Sequence, residues 1–122
     1  MEKETKPLKL ADIAESIRID PRKLVLYALN PDSPLGRHKA VHFEKVLGFK
    51  KDNHTELLRQ LECGAMRAEV SFHSEDKFGK RYTTDILVNG TEGRNAVVRT
   101  GWIIPPESAE AHLVTLYVRK KP

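Results

Sequence analysis

From Leu10 to Leu61 apolar side chains recur at three- and four-residue spacing, whereas from Met66 to Val118 they alternate or run together. The first pattern makes the apolar stripe of a helix, and the second makes the buried face of a strand. A chain that carries the two blocks in that order, without interleaving them, folds as α+β. The expected architecture is a set of N-terminal helices packed on one face of a roughly four-stranded antiparallel sheet. At 122 residues there is material for one domain, expected over 10–119 after a polar tail over 1–9.

Local signals divide the first block. Residues 10–18 read as a short helix. Asp20 and Pro21 then open a second, as N-cap and first helical residue. It carries Leu24, Tyr27 and Ala28 at helical spacing and ends at Asn30-Pro31. A third helix is expected over 37–47, with Ala40, Phe43 and Leu47 on its stripe and Gly48 just past its end in a left-handed cap. Asp52 or Asn53 caps a fourth, bearing Leu57, Leu58 and Leu61 and stopping at Gly64. In the second block, strands are expected over 66–72, 81–88, 95–104 and 112–118, with a hairpin turn opening at Asn89-Gly90.

Several classes are set aside on composition. Apolar runs such as Ile103-Ile104 fall far short of the ~20 residues a bilayer demands, so no membrane association is expected. No basic stretch leading into an apolar segment opens the chain, so no secretion signal is expected. The lone Cys63 has no disulfide partner, which suits a reducing cytoplasm, and its place near the end of an apolar-periodic segment suggests a small buried thiol. A net charge of +4 permits nucleic-acid binding without requiring it.

Chemistry-bearing residues gather in three places. His38 and His42 stand one helical turn apart, a spacing that can hold a metal, but Lys39 occupies the position where a zinc protease needs a glutamate, and it repels a dication. No metal or other cofactor is expected. Arg37, His38 and Lys39 form the basic start of a helix, suited to gripping a phosphate, and an imidazole moves protons near neutral pH. Arg81, Arg99, Thr100, Trp102, Thr115 and Tyr117 lie on predicted strands; Trp102 serves either as a core anchor or as a stacking surface for a base. Cleavage of RNA by its own 2′-hydroxyl requires no metal, only a base, a proton donor and cations for the phosphate. The helix pair around Asp20 has helix-turn-helix lengths, yet its second helix is too apolar to read base edges. No GxSxG elbow or phosphate-cradling GxxxxGK[ST] loop is present.

The segments IDPRKLVLYALNPDSPLGRHKAVHFEKVLGF, YTTDILVNGTEGRNAVVRTGWII and LVTLYV, running from Ile19 to Val118, resemble an uncharacterised bacterial family with a KL…Y.LN helix, a G.HKA…F…LGF helix, a VRT.W strand and a closing L.T.YV strand. That pattern also looks like toxin modules of the metal-independent ribonuclease group that includes barnase, EndoU nucleases, nuclease colicins and RelE-type toxins. The resemblance implies an RNA-cleaving site on the sheet face: His38, Lys39, Arg99 and Thr115 as catalytic candidates, with Thr100, Trp102 and Tyr117 binding substrate; Arg37 and Arg81 join the expected substrate-binding residues on their charge alone. It further implies RNA and a small immunity or antitoxin-like protein as partners, in the cytoplasm. The alternative is a non-catalytic protein-binding module of the same fold, its HKA and RTGW motifs serving structure alone.

Overall fold

A computed structural model describes residues 8–119. It is α+β, and the sheet has five strands rather than four, in the order β1-β5-β4-β3-β2. These are β1 (Ser16–Arg18), β2 (Val70–Asp76), β3 (Gly79–Asn89), β4 (Asn95–Ile104) and β5 (Glu110–Val118). The helices are α1 (Arg37–His42) and α2 (His54–Gly64), with shorter helical segments at Leu10–Asp12, Leu24–Ala28, Phe43–Leu47, Lys51–Asn53, Ala65–Arg67 and Thr91–Gly93. Among the described residues no helix is long and apolar enough to cross a membrane.

The fifth strand comes from the stretch expected to be helical over 10–18. Only Leu10–Asp12 turns helically there. Ser16–Arg18 then pairs in parallel with Glu110–His112, so the sheet is mixed rather than wholly antiparallel. A three-residue strand has almost no local signature, and its partner lies at the far end of the chain. Of the tail expected at 1–9, residues 1–7 lie outside the described residues. Lys9 bridges Glu69, and the carbonyl of Leu8 accepts from the Val70 amide at 2.8 Å.

Elsewhere some local signals correspond to what forms and others shift. The Asp20 carboxylate accepts from the Arg22 amide at 3.0 Å, capping the turn that leads into Leu24–Ala28. That turn is widened: the Leu29 amide reaches the Leu24 carbonyl at 2.8 Å, five residues back. Helix α1 passes into a second wide turn at Phe43–Leu47, which Gly48 closes in the left-handed region at φ 78°. Strand β2 begins at Val70, four residues later than its alternation suggests, because Ala65–Arg67 continues α2 as a tight turn. Cys63 is exposed, not buried. It lies two residues past the buried Leu61, about 200° around the helix, and so faces outward.

The core joins Leu24, Ala28, Phe43, Leu47, Leu57 and Leu61 to the strand residues Ile86, Val88, Val98, Trp102, Leu113 and Leu116. Each fully buried leucine among them contributes roughly 1.5–3 kcal/mol through removal from water. Strand alternation then places Thr83, Asp85, Arg99 and Gly101 on the opposite, open face.

One irregularity decides which β5 residues join them. Trp102 pairs with Leu113, yet Gly101 pairs with Thr115, so Val114 is an extra residue bulged out of register. Without that bulge Thr115 would stand opposite Thr100 on the core face. With it, Thr115 and Tyr117 turn to the open face while Leu116 and Val118 stay buried.

Candidate functional site

Strand β1 stops opposite His112, so from Leu113 onward the outer edge of β5 has no strand partner among the described residues. Helix α1 and the Leu24–Ala28 turn lie against β5. From α1, Lys39 reaches its Nζ to within hydrogen-bond distance of the Tyr27 hydroxyl and 3.2 Å from Thr115 Oγ1. The same ammonium lies 4.7 Å from the Tyr27 ring centroid and 5.9 Å from that of Tyr117. Two aromatic faces and two hydroxyls thus surround one cation.

The Tyr27 phenol feels opposing influences. Partial burial, the largest, pushes its pKa up; hydrogen bonds with Lys39 and Thr115 and the charges of Lys39 and Lys23 outweigh it, leaving the value below the ordinary one. The hydroxyl is therefore easier to ionise than a free tyrosine.

Beside this cluster, Tyr117 faces Arg99 across the β4–β5 pair. Arg99 forms a two-pronged bond to Asp85, with Nε and Nη2 at 2.8 and 3.0 Å from the two carboxylate oxygens, and Arg119 adds a third contact at 2.9 Å. The hydrogen bond to Asp85, assisted by Tyr117, holds the Arg99 guanidinium more firmly charged than usual. The same bond, despite partial burial, holds the Asp85 carboxyl below its usual range. On the far side of Asp85 a concavity of about 420 Å³ is lined by Arg67, Glu69, Ser71, Thr83 and Arg99.

The residues singled out from sequence separate accordingly. Lys39, Thr115, Tyr117 and Arg99 meet along one face. His38 and Arg37 are exposed on α1, and no side-chain bond engages either among the described residues. Arg81 shares the open face but is turned to Asp76 at 3.4 Å. Thr100 and Trp102 do not belong to this set. They are 0% and 1% exposed, on the core face, where Trp102 Nε1 donates to Thr100 Oγ1 at 2.8 Å and to Thr84 Oγ1 at 3.2 Å. The two threonine hydroxyls close the network at 2.5 Å. Such burial leaves no indole face for a base and no free hydroxyl for substrate, which corrects the stacking and binding roles expected of them. Among the described residues, no three His, Cys, Asp or Glu side chains converge in a way that could hold a metal, His38 and His42 included.

Sequence reasoning passed over Tyr27, Asp85 and Arg119. Tyr27 falls on the helical spacing of Leu24 and Ala28 and reads as core, yet only those two are fully buried. Asp85 alternates with the buried Thr84 and Ile86. A charge on the non-core face of one strand, with an opposite charge on the same face of the next, was the available signal.

Fold and site together describe a small α+β domain whose mixed sheet carries a lysine–tyrosine cluster at one edge and an arginine–carboxylate pair beside it. The chain belongs to the family described as "Domain of unknown function (DUF6883)", whose pattern matches residues 9–120. No curated protein matches the sequence. Among solved structures, the chain is similar to one chain of a contact-dependent growth inhibition toxin–immunity protein complex from Klebsiella pneumoniae 342. The TM-score is 0.66 at 14% identity, covering 92% of this chain and 97% of that one. At that identity the likeness concerns the fold.

Proposed function

We propose that this domain is a metal-independent, ribonuclease-like toxin module whose site is the cluster of Lys39, Tyr27, Thr115, Tyr117 and Arg99. The observation that carries the reading is the Lys39 ammonium held between two tyrosine rings and bonded to Thr115, one residue pair from Arg99 on the open face. A phosphodiester seated there meets two cations and a hydroxyl donor, the set that stabilises a five-coordinate phosphorus.

In the proposed reaction the 2′-oxygen of the substrate loses its proton to a base and bonds to the adjacent phosphorus. The bond from phosphorus to the 5′-oxygen breaks, and that oxygen takes a proton from an acid. Tyr27, whose proton is loosened by Lys39, is suited to the first transfer, and the exposed His38 to the second. Lys39 and Arg99 balance the phosphate charge, and Thr115 orients it. The fold shared with a chain from a toxin–immunity complex supports the toxin setting and a small inhibitory protein as partner; the cytoplasm, where RNA is met, is the proposed compartment.

The test is cleavage of total RNA by the purified protein with EDTA present, beside Lys39→Ala, Arg99→Ala and His38→Ala variants. Cleavage is expected from the parent and sharply reduced in all three. Intact RNA at high protein concentration, together with normal growth on expression, rejects the reading.

A second reading has one observation in its favour. Arg99 is already satisfied by Asp85, as a structural cation would be. If the domain is a non-catalytic binding module, Arg99→Ala lowers stability or partner capture, and no variant alters RNA.

A further inference from the structure

We infer that the open face carries a second phosphate subsite at its β2–β3 end, so that the substrate is an extended single strand of RNA rather than a short fragment. This rests on the ribonuclease reading above.

The register of the sheet is the starting point. Thr115 pairs with Gly101, Gly101 with Thr83, and Thr83 with Ser71. These four residues form one row across four strands on the open face, with hydroxyls at both ends and a glycine in the gap. Three strand spacings make the row about 14 Å long. A side chain at Gly101 would raise its floor, since a Cβ there lies 3.0 Å from the Thr115 methyl. Gly101 therefore leaves this row without a side chain between the Lys39 cluster and Thr83, which lines the concavity of about 420 Å³.

That concavity is equipped for an anion. Arg67 stands at its rim on the turn after α2, with one guanidinium nitrogen tied to the Cys63 carbonyl at 3.2 Å and its remaining donors available. Ser71 and Thr83 present hydroxyls that no other side chain engages among the described residues. Asp85 also lines it, but its charge is taken up by Arg99 and Arg119. Glu69 is the opposing charge at the rim. Three guanidiniums against two carboxylates leave the region net positive. A path along a single row of residues matches a single backbone, which favours a strand with splayed bases over a duplex.

The experiment uses the full chain and a short 2′-O-methyl oligonucleotide, which has no free 2′-hydroxyl to attack and reports binding alone. Affinity is measured across a series of salt concentrations for the parent, Arg67→Gln, Ser71→Ala/Thr83→Ala and Glu69→Gln. Each phosphate contact on a single strand contributes about 0.7 to the slope of log affinity against log salt. Arg67→Gln is expected to reduce that slope by about 0.7 and weaken binding, Ser71→Ala/Thr83→Ala to weaken it with the slope kept, and Glu69→Gln to tighten it. Cleavage of a dinucleotide, too short to reach the second subsite, is expected to stay at the parental rate in all of them. Should the parent cut RNA while Arg67→Gln keeps the parental slope and affinity, the subsite is refuted and the nuclease reading survives. A parent that neither binds the oligonucleotide nor cuts RNA overturns both. Unchanged thermal melting of each variant shows that the fold is not what moved.

Discussion

The ammonium of Lys39 lies 3.2 Å from the hydroxyl of Thr115, a residue 76 positions further along the chain. A helix that packs against the edge of β5 thereby places its cation over the opposite face of the sheet. The contact depends on Val114 being bulged, since otherwise Thr115 points into the core. Removing the cation leaves the half-buried Tyr27 hydroxyl short of a partner. Lys39→Met is expected to lower stability by about 1–2 kcal/mol in urea unfolding and to abolish any RNA cleavage. Lys39→Arg should recover most of the stability, because a guanidinium also stacks on the rings, but little of the activity, because its planar fork does not place one compact charge on both the Tyr27 and Thr115 hydroxyls.

Tyr27 offers a spectroscopic check. Of the three tyrosines, it is expected to ionise below the ordinary value of about 10 in the folded protein. Its folded-state pKa lies below the unfolded one, so ionisation favours the fold. That contribution is complete above the unfolded value and vanishes as pH falls through the folded one. Absorbance of the phenolate across an alkaline titration should show one early transition, absent in Tyr27→Phe and displaced to higher pH in Lys39→Met. A Tyr27 transition that keeps its position in Lys39→Met would contradict the electrostatic account.

Asp85 gives the acid-side counterpart. Its pKa is depressed on folding, mainly by the hydrogen bond to Arg99, so its contribution is present in full above the unfolded value of about 3.9 and disappears as pH falls through the lower folded value. Asp85→Asn is expected to cost about 1 kcal/mol at neutral pH, the upper range for a partly exposed pair. The variant and the parent should approach equal stability in strong acid, as followed by circular dichroism.

The buried trio of Thr84, Thr100 and Trp102 is closed, with each polar atom bonded within it. Thr100→Val removes the shortest indole contact and one threonine partner, and a loss of about 1–3 kcal/mol is expected. The Thr84→Val/Thr100→Val pair should lose less than the sum of the single changes, because both alter one network. Calorimetric melting measures this directly.

Gly48 tests the chain reversal after α1. At φ +78° a side chain is strained, and a Cβ would stand 2.0 Å from Thr91 Oγ1. Gly48→Ala is expected to destabilise by at least the roughly 1–2 kcal/mol of a left-handed non-glycine residue, more than Gly93→Ala, where the left-handed φ is similar but open space surrounds the Cβ. Parallel urea midpoints for the two variants decide it.

Much of the architecture is local and was therefore readable in the chain. The switch from helical to alternating spacing announces an α+β fold, the glycine at 48 closes the helix after 37, and the strand over 95–104 has its expected bounds. Basic and hydroxyl residues were also recognisable as the side chains from which the proposed phosphate site is built. Residue type, in each case, carries the information without reference to distant partners.

The site itself was decided by tertiary structure. The segment LVTLYV does not say on which face Thr115 lies, because a one-residue slip exchanges every side chain between faces; only pairing with β4, and the bulge at Val114, settles it. Trp102 carries the same ambiguity, resolved when Thr84 and Thr100 satisfy its indole inside the core. Strand β1 exists because Glu110–His112 offers it an edge, and Tyr27 leaves the ranks of core residues because Lys39 arrives beside it. Spacing along a chain fixes which residues can share a face. Which face that is, and what comes to meet it, depends on packing between segments that the sequence holds far apart.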